Sequence, residues 1–279
     1  MPELPEVQTV LDTLHAQMGH ARIRDVQVRW ARIIHGDPQT FASLVCGRRI
    51  EDYARIGKYL CFDLGDVWWI AHLRMEGKFY LQQPSAPVDA RHVHVIFQLE
   101  DGRELRYHDT RKFGRMYAYP KQGSLRECPC FARVGKDALD ETLSADELYA
   151  HLHARRITLK QALLDQRIIA GIGNIYADEI CFAAGLHPLT KAYRLRRKDA
   201  GTRIIADDQA RRILNGAIRA GGTTIRSYTS SLGVDGRFQL QLKVHAKKGE
   251  PCPVCGSEII KVQAGGRGTY YCAKCQKRR

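Results

Sequence analysis

Four of the chain's nine cysteines fall as two pairs near the C-terminus, Cys252-x-x-Cys255 and Cys272-x-x-Cys275, with sixteen residues between the pairs. That spacing lets two short knuckles present four thiolates tetrahedrally to one zinc ion. A disulfide framework is the other use of so many cysteines, but C-x-x-C pairs are more typical of metal in a reducing compartment. With all four ligands thiolate, no coordination position is left for water, so the ion is expected to fold a hairpin rather than act as a Lewis acid. Between the knuckles, Ala264-Gly265-Gly266-Arg267-Gly268-Thr269 reads as a flexible tip whose charged side chain is Arg267. A solvated turn is the plain reading of this tip. From Lys243 to Arg279, however, nine Lys and Arg stand against Glu250 and Glu258, and a zinc-pinned basic hairpin suits phosphate contact. Cys46, Cys61, Cys128, Cys130 and Cys181 are scattered. The pair Cys128-Pro129-Cys130 lacks two further nearby ligands and reads as free thiols.

The whole chain shares this bias: its formal net charge is +14 over 279 residues. Lysines and arginines gain affinity for a phosphate backbone by releasing its condensed counterions, so nucleic acid is the leading partner, although basic proteins also bind anionic membranes. No run approaches the roughly 20 apolar residues of a membrane helix, and the opening MPELPEVQ lacks the basic start of a secretory signal. A cytoplasmic, nucleoid-associated monomer is expected, with no membrane partner.

The length suggests two domains, since single domains usually hold roughly 100 to 200 residues. Val7, Val10, Leu11, Leu14 and Met18 recur at helical spacing, so the chain should open with an amphipathic helix. From Arg22 to about Tyr119 the pattern shortens to strands, among them 59–64, 67–73 and 93–99, which reads as a β-sandwich or barrel. Gly123, Pro129 and Gly135 interrupt a stretch without periodicity. Helical signals resume at Ser144 with Glu147 and at Thr158 with Gln161, two plausible capping boxes. The glycine-rich turn 170–174 joins two helices, and a further helix is expected over about 208–220. The expected division is 1–130, a linker over 131–143, a helical domain over 144–242 and the finger over 243–279.

Two places carry candidate chemistry. Asn174, behind Gly171 and Gly173, can simply cap its helix; equally, backbone N–H groups at a helix start make a phosphate site. At the other end, Pro2 and the acids Glu3 and Glu6 can be an ordinary first helical turn. If Met1 is removed, Pro2 becomes a terminal secondary amine. An α-amino group titrates near 7.7 to 8.0, against about 10.4 for lysine, so it is a competent nucleophile at neutral pH, with Glu3 or Glu6 placed to move protons.

The opening PELPEV, Gly57-Lys58-Tyr59-Leu60, Asp109-Thr110-Arg111-Lys112-Phe113-Gly114, Gly171-Ile172-Gly173-Asn174-Ile175-Tyr176-Ala177-Asp178-Glu179 and the four cysteines together resemble formamidopyrimidine-DNA glycosylases, end to end and in order. The resemblance implies an α+β fold: an N-terminal β-sandwich with flanking helices, a helix-two-turn-helix domain and a zinc-finger β-hairpin. It implies that Pro2 attacks C1′ of a flipped nucleotide, that Glu3 shuttles protons and that Glu6 supports them. Lys58, Asn174 and Arg267 would grip phosphates, with Lys58 and Arg267 counted beside the catalytic residues. Met75, Arg111 and Phe113 match the family's intercalating trio, although Met75 and Phe113 on their own read equally as core. The resemblance adds His72, His92 and Lys160 as further DNA contacts. Its implied substrate is double-stranded DNA bearing oxidised purines or abasic sites, cleaved through a Schiff base and β,δ-elimination. Leu4 and the Arg111/Phe113 pair argue against the endonuclease VIII relatives. Arg74 and Glu76 depart from the Gly and Ser that commonly flank the methionine. The segment from Thr223 to Val234 matches the loop that closes over the flipped base, and reads equally as an ordinary surface loop.

Overall fold

The computed structural model describes residues 1–87, 89–198, 204, 209–223 and 236–278. The chain divides into two units, Met1–Ala132 with Gly221–Gly236, and Arg133–Ala220 with Arg237–Arg279.

The first unit opens with α1 (Leu4–Met18), which buries Leu4, Val7, Val10, Leu11, Leu14 and Met18, the expected apolar stripe. Among the described residues eight strands follow: β1 (Ile23–Val28), β2 (Asp52–Ile56), β3 (Tyr59–Asp63), β4 (Val67–His72), β5 (Lys78–Gln82), β6 (Val93–Leu99), β7 (Glu104–His108) and β8 (Arg115–Pro120). They form two four-stranded antiparallel sheets, β1-β6-β7-β5 and β2-β3-β4-β8. A second helix, α2 (Pro38–Val45), starts at Asp37, whose carboxylate accepts from Thr40 N at 2.7 Å. Trp69 on β4 stacks on Phe62 of its own sheet, ring centroids 4.1 Å apart, and meets Phe97 of the other sheet at 4.3 Å. All three are fully buried, so one aromatic stack ties the two layers of the sandwich. Ile56 pairs with Tyr59, which makes Gly57-Lys58 a two-residue hairpin turn and fixes Lys58 by strand register.

The second unit carries α3 (Ala145–His153), α4 (Leu159–Leu164), α5 (Asn174–Ala183), α6 (Gln209–Arg219) and the hairpin β9 (Ile259–Ala264) and β10 (Arg267–Cys272). Thr158 and Gln161 form a full capping box at α4. At α3 only half forms: Ser144 accepts from Glu147 N, while the Glu147 carboxylate turns to Lys136 Nζ at 2.7 Å. On α6, Leu214 and Ala217 are buried and Ile213 and Ile218 partly so; Asp208, at the start of the expected helix, lies outside the described residues. The stretch expected as a linker is tied into this unit instead. Gly135 N donates to Gln166 O at 2.7 Å, Ala138 N to Ala170 O at 2.9 Å, and Ala138 and Leu143 are buried. No helix among the described residues is long and apolar enough to cross a membrane.

Candidate functional site

The start of α1 concentrates charge. Glu3 is its N-cap, and a reciprocal capping box links the Glu3 carboxylate to Glu6 N and Glu3 N to Glu6 Oε2 at 2.9 Å. The second Glu6 oxygen accepts from Thr223 N at 2.8 Å and Thr223 Oγ1 at 2.9 Å. Glu3 and Glu6 are 3% and 6% exposed, which for carboxylates signals a purpose-built surround. The terminal amine on Met1 lies in the same cluster, held below its ordinary value chiefly by burial, with Glu3, Glu76 and Glu6 opposing and Lys58 assisting. Lys58, 4% exposed, also lies close enough to His72 to act on it. The amine, two carboxylates and Lys58 are therefore one electrostatic group. The sequence places Thr223 at the start of the closing loop but not against Glu6, since no local pattern announces a partner this distant in the chain.

Chain crossing closes the base of the segment that Thr223 begins. A Cβ on Gly236 would lie 2.4 Å from Gly222 O, so this close approach requires glycine. Residues 224–234 of the anticipated closing loop lie outside the described residues.

His72 ends β4 and is 7% exposed. Burial pushes its pKa down to about 3, with Arg74 and Lys58 adding repulsion. It is neutral, and its Nδ1 accepts from Arg74 N at 2.9 Å, bracing a residue with φ +55°. His72 is thus placed as a prop for the loop carrying Met75. His92 stands at the foot of β6, 3.8 Å from Asp89, with its Nδ1 enclosed and unbonded among the described residues. Phe113 is 49% exposed, which removes the core reading for it, and Met75 is half-buried. Arg111 is exposed, its guanidinium 4.9 Å from the Phe113 ring.

In the second unit Gly173, not Asn174, caps α5, and Asn174 makes no side-chain cap bond. Its Oδ1 is enclosed and accepts nothing among the described residues. Arg267 is exposed at the start of β10, beyond the two-residue turn Gly265-Gly266 with φ +56° and +74°. α5 packs on β10. Lys160 requires a correction: expected as a DNA contact, it is fully buried, its Nζ 2.8 Å from Asp178 and donating to Gly268 O at 2.7 Å. A lysine enclosed in this way bolts α4 and α5 to β10 and presents no charge to a phosphate. Asp178 also meets His245 Nδ1 at 2.8 Å. Next to it, Glu179 accepts from the backbone N–H groups of Lys243, Val244 and His245 at 2.8 to 2.9 Å.

The four cysteine sulfurs lie within 4.8 Å of one another. Cys252 to Cys275 is 3.8 Å and Cys255 to Cys272 is 3.4 Å. A tetrahedral zinc with Zn–S of about 2.3 Å needs edges of about 3.8 Å. The donor set fits one structural zinc ion. Zinc contributes folding of the hairpin, whose small core is Val244, Cys252, Ile259 and Cys272 with Phe182 packed on it.

A crowded acid and amine group on a β-sandwich, in one chain with a helical body and a structural zinc hairpin, defines a zinc-finger protein with a buried acid–amine site. The comparisons narrow the class. Residues 1–116 match the formamidopyrimidine-DNA glycosylase N-terminal domain, 134–229 its H2TH domain and 249–278 a zinc finger found in FPG and IleRS. A formamidopyrimidine-DNA glycosylase of Bacillus licheniformis is 45% identical over 280 residues, covering 100% of both chains. Among solved structures, Lactococcus lactis Fpg in complex with DNA containing an abasic site has a TM-score of 0.89 at 33% identity, covering 99% of this chain and 100% of that one. A mutant of the same Lactococcus lactis protein with Fapy-dG containing DNA gives 0.90, also at 33% identity and 99% and 100% coverage. The chain belongs to the formamidopyrimidine-DNA glycosylase family.

Proposed function

We propose that this chain is a bifunctional DNA glycosylase and abasic-site lyase that removes oxidised purines, 8-oxoguanine and formamidopyrimidines, from double-stranded DNA. The observation that carries the reading is the buried group of Glu3, Glu6 and Lys58 gathered at the start of the chain beside Pro2, itself buried. Depressing an amine pKa enlarges its unprotonated, nucleophilic fraction at neutral pH. Loss of Met1 would make the ring nitrogen of Pro2, a buried residue next to Glu3, the terminal amine of this group.

The Pro2 nitrogen adds to C1′ as the N-glycosidic bond breaks, and the base departs with a proton. Glu3, beside it, protonates the sugar oxygen as the ring opens, leaving an iminium. That cation acidifies C2′–H; loss of this proton expels the 3′ phosphate, and a second elimination expels the 5′ phosphate. Glu6 holds Glu3 N and Thr223 in place and needs no proton transfer of its own. Lys58, the helix start at Asn174 and Arg267 serve phosphates. Met75, Arg111 and Phe113 fill the gap left by the extruded base, Arg111 facing the orphaned cytosine with guanidinium donors. One chain supplies every group in this scheme. The structures of Lactococcus lactis Fpg with abasic-site and Fapy-dG containing DNA support the substrate class.

The test is borohydride trapping on a duplex with 8-oxoguanine opposite cytosine, using untagged protein whose intact mass shows Met1 removed. A covalent adduct that Pro2→Gly abolishes is expected. Tight binding with no adduct would replace this reading with a non-catalytic lesion binder.

A further inference from the structure

Two loops of the first unit carry the three side chains assigned to the gap, and both rest on one buried pair. Asp109, fully buried just past β7, accepts from Arg111 N at 3.0 Å through Oδ1. Its Oδ2 accepts from Phe113 N at 2.9 Å, Gly114 N at 2.8 Å and Tyr107 Oη at 3.3 Å. The backbone of residue 109 is fixed as well: its N–H donates to His92 O at 2.9 Å, and its carbonyl lies 2.8 Å from His94 Nε2. A buried carboxylate is costly unless its lone pairs are filled. All four donors named here come from the 109–114 loop or from Tyr107.

Tyr107, 1% exposed, extends the pair to the other loop. A Cβ on Gly114 would lie 1.7 Å from its hydroxyl oxygen, and one on Gly77 would lie 2.2 Å from it. Both loops thus press backbone against the same hydroxyl, which leaves room for hydrogen alone at either position. Gly77 closes the turn that holds Arg74, Met75 and Glu76, its N–H donating to Leu73 O at 3.0 Å.

We propose that Tyr107 and Asp109 are positioning residues that lock the Met75 turn and the Arg111–Phe113 loop into one preformed wedge. Arg111 and Phe113 can then stand exposed without collapsing onto the sandwich, and Met75 moves only with them. A wedge locked before DNA arrives loses little freedom on insertion. This inference rests on the gap-filling role proposed for the trio.

The experiment uses full-length, zinc-loaded protein and a duplex carrying 8-oxoguanine, with 2-aminopurine next to the opposite base as a fluorescent reporter of unstacking. Opposite-base selectivity is read as excision beside cytosine against excision beside adenine. Tyr107→Phe is expected to reduce both the fluorescence rise and the cytosine preference about fivefold, and Asp109→Asn roughly ten- to a hundredfold. If the pair acts through the wedge, Tyr107→Phe added to Arg111→Ala makes selectivity no worse than Arg111→Ala alone. Wild-type values in Tyr107→Phe, or effects that multiply with those of Arg111→Ala, would overturn the inference. Should Asp109→Asn fail to fold, Tyr107→Phe decides alone. If Arg111→Ala and Phe113→Ala themselves leave the fluorescence rise intact, the gap-filling role is what fails, and the inference goes with it.

Discussion

Glu6 meets two segments that lie 217 residues apart in sequence. One oxygen closes the capping box at the start of α1, and the other takes both donors of Thr223. An amide at this position keeps the shape but turns one acceptor into a donor facing another donor, an uncompensated buried contact of about 1–3 kcal/mol. Glu6→Gln is therefore expected to slow single-turnover borohydride trapping by roughly tenfold or more, and Thr223→Val, which keeps the backbone donor, by less. Equal trapping rates in all three proteins would reduce Glu6 to an ordinary cap. The family resemblance marks Glu6 as a support of Pro2 and Glu3 from the next helical turn. The sequence cannot mark Thr223 as its partner, because a single long-range hydrogen-bonded contact leaves no periodicity. Lysine is the harder case. Lys160 and Lys58 are both enclosed, one against Asp178 and the other near the terminal amine, and neither neighbour can be read from a basic letter in a basic chain.

The elements themselves were easier to read. The stripe of α1, the strands of the sandwich and the cysteine hairpin follow from periods of 3.6 and 2 and from ligand spacing. What attaches one element to the next was not visible, since such contacts are made by scattered polar residues. Lys160, Asp178, Glu179 and Gln276 bind the C-terminal region from Lys243 onward to α4, α5 and the turn after α5, with Gln276 accepting from Cys272 N and donating to Leu186 O, each at 2.9 Å. Removing one partner of a buried ion pair leaves the other charge uncompensated, at a cost of about 3–5 kcal/mol. Lys160→Met should lose about that much stability in urea unfolding, and adding Asp178→Leu should restore most of it. A Lys160→Met loss below about 1 kcal/mol would mean that water or His245 takes over the carboxylate.

At the scale of the whole molecule, the net charge of +14 suits a polyanionic partner, and the phosphates it contacts set how binding responds to salt. Each phosphate contact contributes about 0.9 to the slope of log affinity against log salt. If Arg267 serves one phosphate, Arg267→Ala should lower that slope by about one, on lesion and undamaged duplex alike. A slope unchanged within error would return Arg267 to a solvated turn. The domain limits drawn from glycines and prolines place the change of unit after residue 132 within the expected linker over 131–143, but give no sign that this stretch is bonded to Gln166 and Ala170. They missed the return of Gly221–Gly236 to the first unit. That return bears on heredity. Because Glu6 and Thr223 answer to each other across 217 residues, a recombinant joining residues 1–132 of one relative to the remainder of another inherits the acid from one parent and its donors from the other. A single crossover after the sandwich should therefore weaken the site wherever the two parents differ at either position, even though both halves come from functional proteins.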